Sequence, residues 1–551
     1  MSIGEAVSKF LRPAMALHLA GGIGGPTGAI CEILRQFASK RPRFTLVQST
    51  VTGHALSLIH LNLVARMVFA ACMEVSDTSR PSAIMQRAYK NGLIEIENWS
   101  LLSLQLRLMA AAWGLPFFPT KSLLSSSMIE ANRDATYEML DPFGSSQVVC
   151  LLRPLYPDIS IIHGAAGDEE GNVILPVPYG EDLWGAFAAK EGVIATVERI
   201  ISQSTIRRYA HLVKVPSHLV RAVCPVEFGL HPFYLFNPGV RGVPSYEADV
   251  EFLKGQYAAS RDAKSYDHWL KEWVFDCSSH EGYLHKLGEE RLRALREGLR
   301  RERVQGPKLM GWKELMLIVL SREIEESVEK NGHSLIVPGA GSYMYASFHA
   351  YHRLKTKGKE VHLVTGNGLF GFEPTTPPSV LPTFASVKTS RMLSDTVISQ
   401  GVLVSGSASR VLSVIGAGQI DRCGNLNSTF DLQGNFLVGS GGANDVVNAD
   451  EVIVAIEQSK DRFVERLPFV TARGDRVTKV VSSMGVFRKE DPKGELMLVA
   501  CLPYPNGKSL RERIDLIRQN CSWPLKVAEK VCDVEEPTEV ERSMFYEGLG
   551  Q

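Results

Sequence analysis

The stretch Ile94-Glu95-Ile96-Glu97-Asn98-Trp99 alternates apolar and acidic residues. On an extended strand that spacing sends Glu95 and Glu97 out from one face. A carboxylate so placed in a cleft suits general-base work once it is desolvated; at an exposed edge it is only a solvated charge. Lys121, after Pro116-Phe117-Phe118-Pro119-Thr120, is either a cationic partner for such an acid or a surface lysine. A second kind of chemistry belongs to glycine-rich backbone. In Gly439-Ser440-Gly441-Gly442-Ala443-Asn444-Asp445 the small residues permit close approach to a ligand. Their N–H groups could form an oxyanion hole or grip a pantetheine amide, with Asn444 and Asp445 anchoring the turn. The plain alternative is a tight loop between strands. The run Gly21-Gly22-Ile23-Gly24-Gly25-Pro26-Thr27-Gly28 could hold a phosphate or diphosphate at a helix N-terminus, or be a structural turn. It is neither G-x-G-x-x-G in register nor a Walker A loop.

These candidates need elements to carry them. Met15–Ala20 is a short apolar run, the glycine turn follows, Ala29–Phe37 has a helical pattern, and Arg43–Gln48 reads as a strand. This is the β–loop–α–β unit of an open parallel sheet. Ser334–Pro338, Gly339-Ala340-Gly341-Ser342, a helix from Tyr343 and the strand Glu360–Val364 repeat it. Each half later carries Asp-x-x-Gly-Asn after an apolar run, at Asp168 and at Asp421, about 250 residues apart. Asp and Asn bond local backbone and Gly supplies positive φ, so turn chemistry explains the motif best. The repeat implies two related α/β domains with parallel-sheet cores and a site in the cleft between them. The expected division is 1–245, a charged helical connector over 246–310, and 311–551. The apolar stretch Leu61–Met73 contains Arg66, is too short to span a bilayer, and is expected as a buried helix. The last 30 or so residues are polar and mixed, and are expected as a surface tail.

Composition narrows the function classes. Lys+Arg and Asp+Glu both number 60, so the overall charge points to neither nucleic acid nor a membrane surface. Nine cysteines lie scattered without C-x-x-C or ligand-like Cys/His spacing, which suggests reduced thiols in a cytoplasmic protein without a zinc site. Nothing in the first residues reads as a signal peptide.

Taken together, these residues resemble the family I CoA-transferases, the group containing glutaconate CoA-transferase. The first half is similar to the α subunit and the second half to the β subunit. The most specific segments are Gly416-Ala417-Gly418-Gln419-Ile420-Asp421 with Gly424-Asn425-Leu426-Asn427-Ser428-Thr429, followed by Gly439 to Asp445. Gly21-Gly22-Ile23-Gly24 resembles the α-subunit Gly-Gly-Phe-Gly signature, with Thr27 where another Gly is usual. The resemblance implies an acyl-CoA in the cleft between two αβ domains, no permanently bound cofactor, and a homodimer by fold analogy alone.

One departure bears directly on chemistry. Most members carry, on the β half, a Glu that attacks the acyl-CoA and becomes a glutamyl-CoA thioester. Here that turn reads Val364-Thr365-Gly366-Asn367-Gly368-Leu369-Phe370-Gly371, with Gly366 at the glutamate position and Glu373 further along. A branch that also lacks the Glu is the hydrolase that opens a ring in steroid breakdown, and the segments around Glu97 and Pro116 look most like it. The resemblance therefore implies hydrolysis, with retro-Claisen C–C cleavage of a keto acyl-CoA as the form expected. Glu97 is the expected base, with Glu95 the fallback. Asn367 and the Gly441–Asn444 amides are expected at the oxyanion. Gly21, Gly22, Gly24, Gly366, Gly368, Gly439, Ser440, Gly441, Gly442, Ala443 and Asn444 are expected around CoA. The alternatives are a CoA-transferase using another carboxylate and a non-catalytic CoA-binding protein.

Overall fold

The structure is a computed structural model. It describes residues 1–20, 24–75, 79–180, 183–298, 311–374, 383–407, 410–503 and 507–547. In the first half, β1 (Ala16–Ala20), β2 (Phe44–Val47), β3 (Val64–Phe69), β4 (Glu95–Asn98), β5 (Ile159–Gly167), β6 (Val193–Ile200) and β7 (Val220–Pro225) lie in the order β7–β6–β5–β1–β2–β3–β4. Every neighbouring pair is parallel. Two short strands, Val173–Ile174 and Val213–Val215, complete a nine-stranded sheet. In the second half, β8 (Leu335–Pro338), β9 (His362–Leu363), β10 (Val411–Gly416), β11 (Glu451–Ile456) and β12 (Val477–Ser482) are parallel in the order β9–β8–β10–β11–β12. Three further strands extend that sheet beyond β12. The order β2–β1–β5–β6–β7 of the first half is thus repeated as β9–β8–β10–β11–β12. Strand order reverses between β1 and β5 and again between β8 and β10. At such switch points the loops at the carboxyl ends of the strands splay apart and leave a crevice.

Both sheets are buried on both faces. Ile336 of β8 packs with Leu317, Phe348 and Val414, whereas its neighbour Val337 packs on the other side with Val411 and Val454. Continuous apolar strands follow from that arrangement. Leu61–Met73 is one of them: it forms β3 and part of the next strand, Ala71–Val75, not a helix. A short apolar run lacks the period that separates a doubly covered strand from a buried helix. Helix α1 (Thr27–Phe37) places Ile30, Ile33, Leu34 and Phe37 in the first core at helical spacing. Helix α2 (Leu101–Ala112) opens on a reciprocal cap between Ser100 and Ser103.

Two stretches expected at the surface are part of cores. Within 246–298, the helices Val250–Ser260, Ala263–Leu270 and His280–Leu287 bury Phe252, Tyr266, Trp269 and Tyr283 in the same cluster as Ile30 and Leu17. Their charges occupy the outer faces. Near the C-terminus, Lys526–Asp533 is a strand of the second sheet, Phe545 is buried, and Glu541 bridges Arg322 and Arg353.

The Asp-x-x-Gly-Asn repeats are turns. Asp168 accepts from the N–H groups of Gly171 and Asn172 and from the Asn172 side chain, at 2.8–2.9 Å. Asp421 is bonded in the same way by Asn425. A third copy, Asp431-Leu432-Gln433-Gly434-Asn435, has identical bonding to Asn435. All three glycines have positive φ. The carboxylates are bonded to local backbone and to the Asn side chain of each turn.

Candidate functional site

The two halves are fastened by the segment Gly439–Asp445. The Gly439 N–H donates to the Ser428 carbonyl, that of Ser440 to Asn98 Oδ1, that of Gly441 to the Ala70 carbonyl, and that of Ala443 to the Ser440 carbonyl, all at 2.9–3.0 Å. In return Leu101 N–H reaches the Gly441 carbonyl and Cys72 N–H the Val438 carbonyl. The Asn444 side chain accepts from Leu123 N–H at 2.6 Å and donates to the Thr471 carbonyl at 2.6 Å. Asp445 is fully buried and accepts from Ser100 Oγ (2.6 Å), Ser122 Oγ (2.7 Å) and Leu102 N–H (3.0 Å). Burial pushes its carboxyl up to about 6 despite those three donors. Of the Gly441–Asn444 amides expected at an oxyanion, that of Gly441 joins the halves and that of Ala443 closes the local turn.

Gly439 has φ +96°, and a Cβ there would stand 2.6 Å from the Ala70 carbonyl oxygen and 2.7 Å from Asn98 Nδ2. Gly439→Ala is expected to cost roughly 2–5 kcal/mol through strain and overpacking. Denaturant unfolding of the purified variant checks this.

Beside the fastening lies the turn after β9. Thr365 Oγ1 donates to Asn367 Oδ1 at 2.8 Å, and Ser399 Oγ donates to the Gly366 carbonyl at 2.9 Å. Gly366 is filled from the side: a Cβ there would stand 2.1 Å from Gln400 Nε2. Gly442 flanks the same group, its would-be Cβ 2.8 Å from Gln400 Nε2. Gln400 is 1% exposed, and its Oε1 has no hydrogen-bond partner. It rides on the π-helical segment Val397–Val404. That segment docks on the first half through Thr396 N–H to the Gly180 carbonyl, with Ser394 accepting from Tyr179 N–H.

The first half presents its own polar side chains from β2 and α2. Gln105, one helical turn from Leu101, donates through Nε2 to Ser49 Oγ at 3.0 Å. Its Oε1 is buried without a partner, as are both ends of the Gln48 amide and Ser440 Oγ. Contacts link this row: Ser49 to Gln105, Leu101 to Gly441, Gly442 to Gln400, and Gln400 to Gly366. A buried polar atom without a partner costs on the order of 1–3 kcal/mol. Gln105, Ser440 and Gln400 bring such atoms to the seam between the halves. Gly24 and Gly25 border the row; a Cβ on Gly25 would stand 2.9 Å from Gln48 Nε2. Gly21 and Gly22 lie outside the described residues.

The acidic pair sits elsewhere. Asn98 points to the seam, bonding the Phe69 and Ala70 carbonyls as well as Ser440. Its neighbour Glu97 therefore projects from the opposite face of β4. Glu97 is bonded by Arg107 Nη1 at 2.6 Å, by Trp99 Nε1 at 2.8 Å and by Arg66. The Arg107 guanidinium also lies 4.2 Å from the Trp99 ring centroid. Burial raises the Glu97 carboxyl, but Arg107, the indole N–H and Arg66 outweigh it and leave it below its ordinary value. An acid so paired is a poor proton acceptor. Glu95 shares that face, is largely exposed, and lies 3.6 Å from Arg66. Lys121 is exposed. Gly366, Asn367 and Gly442 are thus brought together at the seam, Glu95 and Glu97 face away from it, and Lys121 is exposed just before Ser122, which bonds Asp445. Sequence reasoning missed Gln48, Gln105 and Gln400. Only the missing side chains of Gly366 and Gly442 signalled that something else fills that space.

Among the described residues no group of His, Cys, Asp and Glu is arranged to hold a metal, and no helix is long and apolar enough to cross a membrane. Comparison with known proteins bears on both halves. Residues 1–224 match the family described as coenzyme A transferase. The chain is similar to one subunit of glutaconate CoA-transferase from Acidaminococcus fermentans, 27% identical over 310 residues covering 53% of this chain and 92% of the relative. It is also similar to one subunit of 3-oxoadipate CoA-transferase from Pseudomonas knackmussii, 28% identical over 211 residues covering 34% of this chain and 76% of the relative. Among solved structures, an acyl-CoA transferase from Escherichia coli O157:H7, in its thioester complex with CoA, shares the fold across 99% of this chain and 95% of its own. The TM-score is 0.67 at 15% identity.

Proposed function

We infer that this chain, whose first 224 residues match the coenzyme A transferase family, acts on an acyl-CoA thioester by hydrolysis. The observation that carries the choice is Gly366. The turn after β9 offers no nucleophile there, and the space a side chain would need is taken by a neutral amide. Water then replaces the enzyme carboxylate as the attacking group. For a keto acyl-CoA the water oxygen bonds the keto carbon and the bond to the adjacent carbon breaks. Its electron pair departs as a thioester enolate, and the enolate carbon takes up the proton that water released. A carboxylic acid and a shortened acyl-CoA result. Asn367, held by Thr365, is the side chain we assign to the developing oxyanion. Gly366, Gly368 and the turn containing Gly24 are assigned to the CoA moiety.

A second reading, transfer of CoA to a carboxylic acid, is favoured by the names of the relatives, which are CoA-transferases. Acceptor dependence separates the two. Incubated with a panel of acyl-CoA and keto acyl-CoA esters, the protein is expected to turn over at the same rate with and without acetate or succinate. Turnover that requires the acid would establish transfer instead.

A further inference from the structure

We propose that the carboxamide of Gln400 is the group that orients the attacking water, an assignment that rests on the hydrolytic reading above. Two glycines of different loops, Gly366 and Gly442, lack side chains where this amide lies, and a Cβ on either would displace it or press on it. Its oxygen is buried without a partner. Within the protein that acceptor is unsatisfied, at the desolvation cost of a buried, unbonded oxygen, and a leucine or methionine would fill the same volume without it.

The segment that carries Gln400 is braced on three sides. Ile398 N–H bonds Asp395 Oδ1 at 2.9 Å, Ser399 Oγ bonds the Gly366 carbonyl, and Thr396 N–H bonds the Gly180 carbonyl of the other half. Its π-helical winding is a feature that recurs at functional sites. The braces fix the amide at the seam while its oxygen stays unused. A carboxamide cannot attack a carbonyl and form a stable acyl-enzyme. It can accept one hydrogen bond from a water and hold that water's lone pair toward a carbon. The side chain thus sets its Nε2 against Gly366 and Gly442, and its Oε1 is the acceptor we assign to the water.

The test is Gln400→Met, which keeps the volume and removes the hydrogen bond. We expect kcat for CoA-ester hydrolysis to fall roughly 100-fold with KM changed little, as for loss of a contact made mainly in the transition state. The melting temperature should hold or rise, because an unsatisfied acceptor is gone. Wild-type-like kcat in Gln400→Met would overturn the assignment while leaving hydrolysis standing. A clear fall in melting temperature would also overturn it, because it would mean that the amide is bonded within the protein. Acceptor-dependent turnover of the wild-type protein would instead remove the hydrolytic reading itself. A companion pair adds a second arm. Gly366→Glu alone has no room beside Gln400, whereas Gly366→Glu with Gln400→Ala opens it. A borohydride-reducible CoA adduct in the double variant and not in Gly366→Glu is the expected result, and an equal adduct in both would contradict the shared space.

Discussion

Glu97→Gln is expected to unfold more easily than the wild-type protein and to keep its turnover per folded molecule. The reason lies in Arg107, whose side chain is only 6% exposed and whose charge is balanced by Glu97. Burial lowers the Arg107 pKa and Glu97 supports it, so the pair is held together by mutual need. Removing one partner of such a pair costs about 3–5 kcal/mol, because the other charge stays behind. The pH dependence has a definite sign. The folded Glu97 carboxyl lies below its unfolded value, so its contribution is fully present above about pH 4.5 and is lost as pH falls through the folded value. Glu95→Ala is the control: an exposed carboxylate should change stability by less than about 0.5 kcal/mol. Unchanged stability together with a large loss of kcat in Glu97→Gln would restore Glu97 as the base.

Asp445→Ala should loosen the two halves from each other. Ser100 Oγ, Ser122 Oγ and Leu102 N–H would all lose their acceptor in a buried seam. The hydroxyls can turn to other acceptors and the N–H cannot, which places the cost at roughly 3–5 kcal/mol. Activity should fall with it, since Gly442, which flanks Gln400, sits in the segment that Asp445 anchors to the first half. Hydrogen exchange of segments 98–104 and 439–446 reads the effect directly, and wild-type protection there would contradict it. The wild-type carboxyl adds a pH signature. Its folded value, about 6, lies above the unfolded one. That contribution is complete below about pH 4 and is lost as pH rises through 6, on the order of 2–3 kcal/mol. The deficit of Asp445→Asn against wild type should therefore shrink between pH 5 and pH 7.

The fold was largely legible because its signals are local. The glycine turn between an apolar run and a helical pattern marks β1 and α1, and its recurrence at Ser334–Ser342 marks the second sheet. Asp168 and Asp421 were readable as turns since their partners lie within four residues. What the sequence hid depends on distant partners. Glu97 looks like a free acid until Arg66 and Arg107 arrive from β3 and α2. Asp445 is an ordinary loop acid until Ser100 and Ser122, more than 300 residues earlier, close on it. Gln400 lies in a run of apolar and small residues with no motif, and only the glycines it displaces give it away. The helices of 250–287 and the C-terminal strand and helix read as surface because charges dominate their composition, while single aromatics such as Tyr266 and Phe545 do the docking.

The central claim is that the acyl-CoA is attacked by water and not by the enzyme. Intact-protein mass spectrometry of the wild-type chain, after incubation with acyl-CoA esters and borohydride, tests it most directly. The account predicts turnover in water alone with the protein mass unchanged: free CoA from a simple acyl-CoA, and a carboxylic acid with a shortened acyl-CoA from a keto acyl-CoA. A reducible CoA adduct on the wild-type protein, with turnover that depends on an acceptor acid, would contradict it and assign the chain a covalent carboxylate.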